Sequence, residues 1–120
     1  MKTEFEQWLG AQFADTGAFT IFIVLVRIAG SEVAAVKSTY AQMIGADMKW
    51  SEMCALLDGA RTPWDAASFF VGLGAGGPLI DSVARTKLKD IEGQVTADPL
   101  ALNRGMLFDK KGRHFRIDEI

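Results

Sequence analysis

The sequence predicts a mostly helical fold, with five or six helices around one long central apolar helix and a β-hairpin near the C-terminus. Three observations lead to this prediction. Apolar residues recur at helical spacing between Phe19 and Met43, residues typical of helix starts precede other segments, and apolar and polar residues alternate near the C-terminus. The chain has 120 residues, the size of one domain, so we expect a single domain over residues 1–120.

The composition is that of a globular protein. Hydrophobic residues make up 49% of the chain and charged residues 23%, which excludes a disordered, collagen-like or coiled-coil chain. Cys54 is the only cysteine, which excludes an intrachain disulfide and a zinc site built from several cysteines.

The uncharged runs of the sequence are too short to span a membrane. The longest, Ala66–Ile80, has 15 residues, whereas a helix needs about 18 apolar residues to cross a bilayer. Glu4, Glu6 and Asp15 stand where a secretory signal would carry basic and apolar residues. We therefore expect a cytoplasmic protein without a membrane partner.

The first predicted element is a short helix that begins at a capping box. Thr3 is followed three residues later by Glu6, a pair in which each side chain bonds the backbone N–H of the other residue. Phe5 and Leu9 then fall on one apolar stripe, and Gly17 ends the helix.

The long apolar helix is predicted over Gly17–Gly45 from a spacing of three and four residues. A rival interpretation is a strand over Phe19–Ile28, a segment with five apolar β-branched residues. The helical period passes through Gly30 without a shift, and this favours the helix. The stripe consists of Phe19, Phe22, Val26, Ala29, Val33, Val36, Tyr40 and Met43.

The first half of this predicted helix is apolar almost all round, so it must be covered on most sides. A domain of 120 residues has little material to cover it, and we therefore expect a homo-oligomer formed through this helix. The residues expected at the interface are Phe22, Val26, Ala29, Val33, Val36 and Tyr40.

Three shorter helices and a hairpin are predicted in the rest of the chain. The middle helix begins at Thr62-Pro63, a capping residue followed by proline at the first helical position. The hairpin turns around Gly112, with alternating apolar and basic residues on its return strand. The helices are expected over residues 47–58, 62–71 and 79–92, and the hairpin over residues 106–117.

Motifs for catalysis, metal binding or cofactor binding are weak. Gly72, Gly74 and Gly77 match the glycine spacing of dinucleotide-binding loops, but the chain after them is too short for a second parallel strand and its crossovers. Cys54 lies on an apolar face, as unreactive thiols do, and His114 is the only histidine. The sequence therefore predicts no catalytic residues, no metal ligands and no cofactor.

Two classes of function fit these observations better than an enzyme does. The favoured one is a non-enzymatic interaction or assembly subunit. It is expected to form a homo-oligomer, and a different protein is a further candidate partner. The alternative is a winged-helix-like regulator that binds nucleic acid through helix 79–92 and hairpin 106–117, although a pI of 5.3 argues against strong nonspecific DNA binding. This alternative requires one surface that carries Arg85, Lys89, Lys110, Lys111, Arg113 and Arg116.

Overall fold

The structure is a computed structural model that describes residues 2–117, and it shows an α+β fold rather than a mostly helical one. A four-stranded antiparallel sheet has the strand order β2-β1-β3-β4. The elements along the chain are α1 (Glu4–Thr16), β1 (Phe19–Ala29), β2 (Glu32–Met43), α2 (Trp50–Asp58), β3 (Ala66–Gly72), α3 (Asp81–Ala97), a 3₁₀ helix (Pro99–Arg104) and β4 (Met106–Asp109).

The segment predicted as the long central helix is a β-hairpin. Strands β1 and β2 pair antiparallel, and Ala29 lies opposite Glu32 at the end of the ladder. The two-residue turn between them is Gly30-Ser31, and Gly30 has a φ of 60°. Positive φ at the first central position occurs in the primed turns that close two-residue hairpins, and glycine is favoured there. The helix prediction is therefore wrong, and the rival strand interpretation is correct.

The physical reason for the error is the position of β1 inside the sheet. Residues 19–26 are buried, because α1 and α2 cover one face of β1 and α3 covers the other. A strand buried on both faces is apolar at nearly every position, so its apolar and polar residues do not alternate. An apolar subset with helical spacing can be selected from such a run, and the β-branched residues are the better signal.

The helices form two separate cores on the two faces of the sheet. Alternate side chains of β1, such as Ile21 and Ile23, pack with α1 and α2. The intervening side chains, such as Phe22 and Val24, pack with α3 and the 3₁₀ helix. The first core is rich in aromatic rings, whose main members are Phe5, Trp8, Trp50, Trp64, Phe69 and Phe108.

The other sequence predictions have mixed outcomes. The capping box of α1 is present, with Glu6 N–H donating to Thr3 Oγ1 at 3.1 Å and Thr3 N–H donating to Glu6 Oε1 at 3.2 Å. The prediction of a helix over residues 62–71 is wrong, since this segment is a loop followed by β3. Strand β3 is an inner strand that needs apolar residues on both faces. The helix over residues 79–92 is present as α3 and continues to Ala97.

The predicted hairpin corresponds to β4 and a turn. Strand β4 pairs with β3, and the return segment makes a single bridge, between Phe108 and His114. The turn at Gly112 is closed by its N–H, which donates to the Asp109 carbonyl at 2.9 Å.

A buried hydroxyl fastens β1 to its neighbours. Thr20 is fully buried, its Oγ1 donates to Gln42 Oε1 at 2.6 Å, and it accepts from the backbone N–H of Leu79 at 2.8 Å. We predict that Thr20→Val, which keeps the side-chain shape, lowers the free energy of unfolding by about 1–3 kcal/mol because it leaves these groups unpaired.

Chemical denaturation measures this loss. Thr86→Val on the exposed face of α3 is the matched control and should change stability by less than about 0.5 kcal/mol. Equal stability of the Thr20 variant and the native protein would contradict the prediction.

The carboxylate of Glu6 caps two helices at once. Its Oε2 accepts from the N–H of Trp50, the first residue of α2, at 2.7 Å, and its Oε1 closes the capping box of α1. The hydrogen bond from Trp50, followed by that from Thr3, lowers the pKa of Glu6. The ionised carboxylate therefore stabilises the fold above the ordinary pKa, and this stabilisation is lost as the pH falls through the lowered folded-state pKa.

We predict that Glu6→Gln lowers stability at neutral pH, and that the difference from the native protein shrinks as the pH falls through the folded-state pKa of Glu6. Thermal unfolding of both proteins across an acid pH series checks this. Asp15→Asn, on the same helix, serves as the control for a general charge effect. A difference that stays constant with pH would show that the charge of Glu6 is not responsible.

Candidate functional site

The two edges of the sheet differ in how they are protected. The β4 edge is short and is covered by the return segment of its own turn. Asp109 N–H donates to the Arg113 carbonyl at 3.0 Å, and Phe115 N–H donates to the Leu107 carbonyl at 3.1 Å. The return segment therefore already covers most of the β4 edge.

The opposite edge is strand β2, which has 12 residues and pairs only with β1 in the described part of the chain. Natural proteins protect open edges with charges, prolines or bulges. In β2, Glu32 carries a charge at the start of the strand, and the bulge at Val36 lies next to the charge of Lys37. Ser38–Met43 contains no charge and no proline, so this half of the edge is unprotected.

Helix α3 holds β2 in place from one face of the sheet. From Ser38 onward, every second side chain as far as Gln42 makes a hydrogen bond to α3 or to the segment that leads into it, and these bonds fix this half of the strand. The bonds run from Ser38 Oγ to Glu92 Oε2 (2.5 Å), from Tyr40 Oη to Asp81 Oδ1 (3.3 Å) and from Gln42 Nε2 to the Leu79 carbonyl (3.0 Å).

An apolar groove of about 390 Å³ accompanies β2 on the other face, between the strand and α2. Ile23 and Leu57 contribute to its lining, as does Leu56, a residue that is 54% exposed. Thr39 and Ala41 of β2 line the groove from the strand side. The open edge is therefore bordered by apolar surface that water reaches.

The interface residues expected from the sequence fall in two places. Phe22 and Val26 are fully buried in the core beneath α3. The others lie on the surface of the hairpin, where Val36 is 39% exposed. Ala29 is also exposed, whereas Val33 and Tyr40 are partly buried.

Sequence reasoning missed three residues beside the open edge, namely Thr39, Ala41 and Leu56. The signal for Thr39 and Ala41 was the uncharged run of β2, which becomes informative only after the segment is recognised as a strand.

The six cations of the nucleic-acid alternative do not share one surface. Lys110 Nζ lies 3.7 Å from the centre of the Trp64 ring and 3.8 Å from Asp58 Oδ1, on the α2 face of the sheet. Arg85 and Lys89 are on α3, which packs on the opposite face. Of the remaining three, Arg113 Nε pairs with Asp109 Oδ2 at 2.9 Å, and Lys111 and Arg116 are exposed.

The other motifs also have defined positions. Gly72 ends β3, and the Gly74 N–H donates to the Gly77 carbonyl at 2.7 Å in a tight loop before α3. Cys54 is partly buried in α2, and its burial together with the charge of Asp58 raises the pKa of its thiol. Within residues 2–117, no three His, Cys, Asp or Glu side chains form a metal-binding group.

None of the helices within residues 2–117 combines the length and the apolar character that crossing a bilayer requires.

The chain was compared with protein-family models, with curated proteins and with solved structures, and none of the three comparisons finds a match.

Proposed function

We propose that this protein is an assembly subunit whose β2 strand pairs antiparallel with the β2 strand of a second copy, which joins two four-stranded sheets into one. The observation that carries the proposal is the long, uncharged and uncovered edge of β2 between Ser38 and Met43. Strand addition at such an edge uses main-chain hydrogen bonds for affinity and neighbouring pockets for specificity.

The hydrogen bonds that hold β2 against α3 favour this role. A strand that α3 already fixes through Ser38, Tyr40 and Gln42 loses little conformational freedom when a partner strand binds. The same three side chains point toward α3, so pairing at the edge does not disturb them. Binding therefore adds main-chain hydrogen bonds without breaking contacts within the subunit.

The charge pattern of β2 makes a second copy a suitable partner. In a symmetric antiparallel pair, residues opposite each other lie on the same face of the sheet. With Thr39 opposite its own counterpart, Lys37 lies opposite Ala41 of the other copy. The two lysines are then about 14 Å apart along the strands, at about 3.4 Å per residue. This exceeds the Debye length of about 8 Å at physiological ionic strength, so they repel only weakly.

The apolar groove supplies the hydrophobic part of the interaction. A symmetric pair places both copies of α2 on the same face of the joined sheet, because the twofold axis is perpendicular to it. Thr39 and Ala41 of each copy then extend the wall of the other copy's groove, near the exposed Leu56. Covering this surface removes apolar area from water, which stabilises the pair.

We predict that Thr39→Lys weakens the dimer about tenfold, because two like charges then face each other across the pair. Sedimentation equilibrium should show a native mass of twice 13.1 kDa and a shift of the variant toward the single chain. Thr86→Lys, the same change on the exposed face of α3, should leave the mass unchanged.

A mixture of the Thr39→Lys and Thr39→Glu variants tests both the partner and the register. Opposite charges now face each other, so the two variants should form a mixed dimer in preference to either pure dimer. Native mass spectrometry distinguishes the three species. A native protein that stays monomeric at micromolar concentration, or a mixture without mixed dimers, would overturn this function.

A further inference from the structure

A second cleft lies where β3 extends past the end of β4. Strand β4 pairs with β3 only as far as Phe69, whereas β3 continues to Gly72. Helices α1 and α3 stand on the two sides of the uncovered part of β3. Together with the 3₁₀ helix they line an open cleft of about 460 Å³, a volume in the range of small-molecule sites.

The cleft is positively charged in a chain whose net charge is −2. Lys87 from α3 and Arg104 from the 3₁₀ helix line it, and within the described part of the chain none of its lining residues is Asp or Glu. Neither cation belongs to an ion pair among the described residues. Arg104 Nη1 donates to Gln94 Oε1 at 3.0 Å, which orients the guanidinium group while leaving its other N–H groups available.

The remaining walls combine aromatic and aliphatic side chains with the amides of Gln12 and Gln94. The partly buried ring of Trp8 lies on the α1 side, next to the amide of Gln12. Ile91 from α3 and Phe70 from β3 complete the apolar surface. The edge of β3 beyond Phe69 adds main-chain groups that β4 leaves unpaired. A charged end and an apolar body can therefore be bound in the same cleft.

We propose that this cleft binds a small organic carboxylate, with the carboxylate at Arg104 and Lys87 and an apolar body against Trp8. The planar guanidinium of an arginine matches a carboxylate through two parallel hydrogen bonds, and the lysine adds a point charge. Among residues 2–117, no acidic side chain lines the cleft to compete for these cations. This site is independent of the pairing at β2, which is at the far edge of the sheet.

Three probes of similar size test the proposal on the full chain. Phenylacetate carries the carboxylate, phenyl phosphate carries the other oxyanion that guanidinium groups bind, and phenylacetamide is the neutral equivalent. Isothermal titration measures affinity, and NMR of the indole N–H of Trp8 and the side-chain N–H of Arg104 locates the bound probe. Phenylacetate should bind at millimolar concentration and shift both signals, and phenylacetamide should bind at least about tenfold more weakly.

Matched variants connect binding to the two cations. The double variant Lys87→Gln and Arg104→Gln should weaken phenylacetate binding at least about tenfold. Lys89→Gln, on the same helix but outside the cleft, should bind as the native protein does. The amide NMR spectrum establishes that each variant is folded.

Four results would overturn the proposal. Phenylacetamide that binds as tightly as phenylacetate would show that charge is not recognised. Undiminished binding to the double variant, or no shift at Trp8 and Arg104, would place any binding elsewhere. Tighter binding of phenyl phosphate than of phenylacetate would reject the carboxylate as the ligand class.

Discussion

Strand β1 is covered on both faces and paired along both edges, and the other elements take their positions from it. Its register is set by the one polar side chain in its buried part. Thr20 must face α3, where Gln42 and the N–H of Leu79 satisfy its hydroxyl. A shift of one residue would turn this hydroxyl into the aromatic core and would exchange the two faces of the strand. Correct pairing of β1 therefore places α1 and α2 on one side and α3 on the other.

Structural features that depend only on local sequence were predicted correctly. Features that depend on what packs against a segment were not. The capping box of Thr3 and Glu6 specifies its own geometry within four residues and was identified correctly. By contrast, burial of β1 on both faces removes the alternation by which strands are recognised. Thr62-Pro63 suits a loop before a strand as well as a helix start, and only the pairing of β3 decides between them.

The candidate site was predictable only in part, for the same reason. The sequence indicated an interface in the region of Val36 and Tyr40, but it assigned these residues to the face of a helix. Whether β2 is an edge strand, and therefore whether Thr39 lies at an open edge, depends on the order of the strands in the sheet. The cleft at Lys87 and Arg104 arises from a difference in length between β3 and β4, for which the sequence has no local signal.

The order of the strands along the chain has a consequence for synthesis on the ribosome. The β1–β2 hairpin is local and is complete at Met43, whereas β3 begins only at Ala66. A hairpin closes in about 1–10 μs, whereas the ribosome adds about 5–20 residues per second. The second edge of β1 and its apolar faces are therefore exposed for seconds before β3 and α3 emerge. During that interval the apolar surface of the nascent hairpin is accessible to other chains, and the length of the interval depends on the translation speed between Met43 and Ala97.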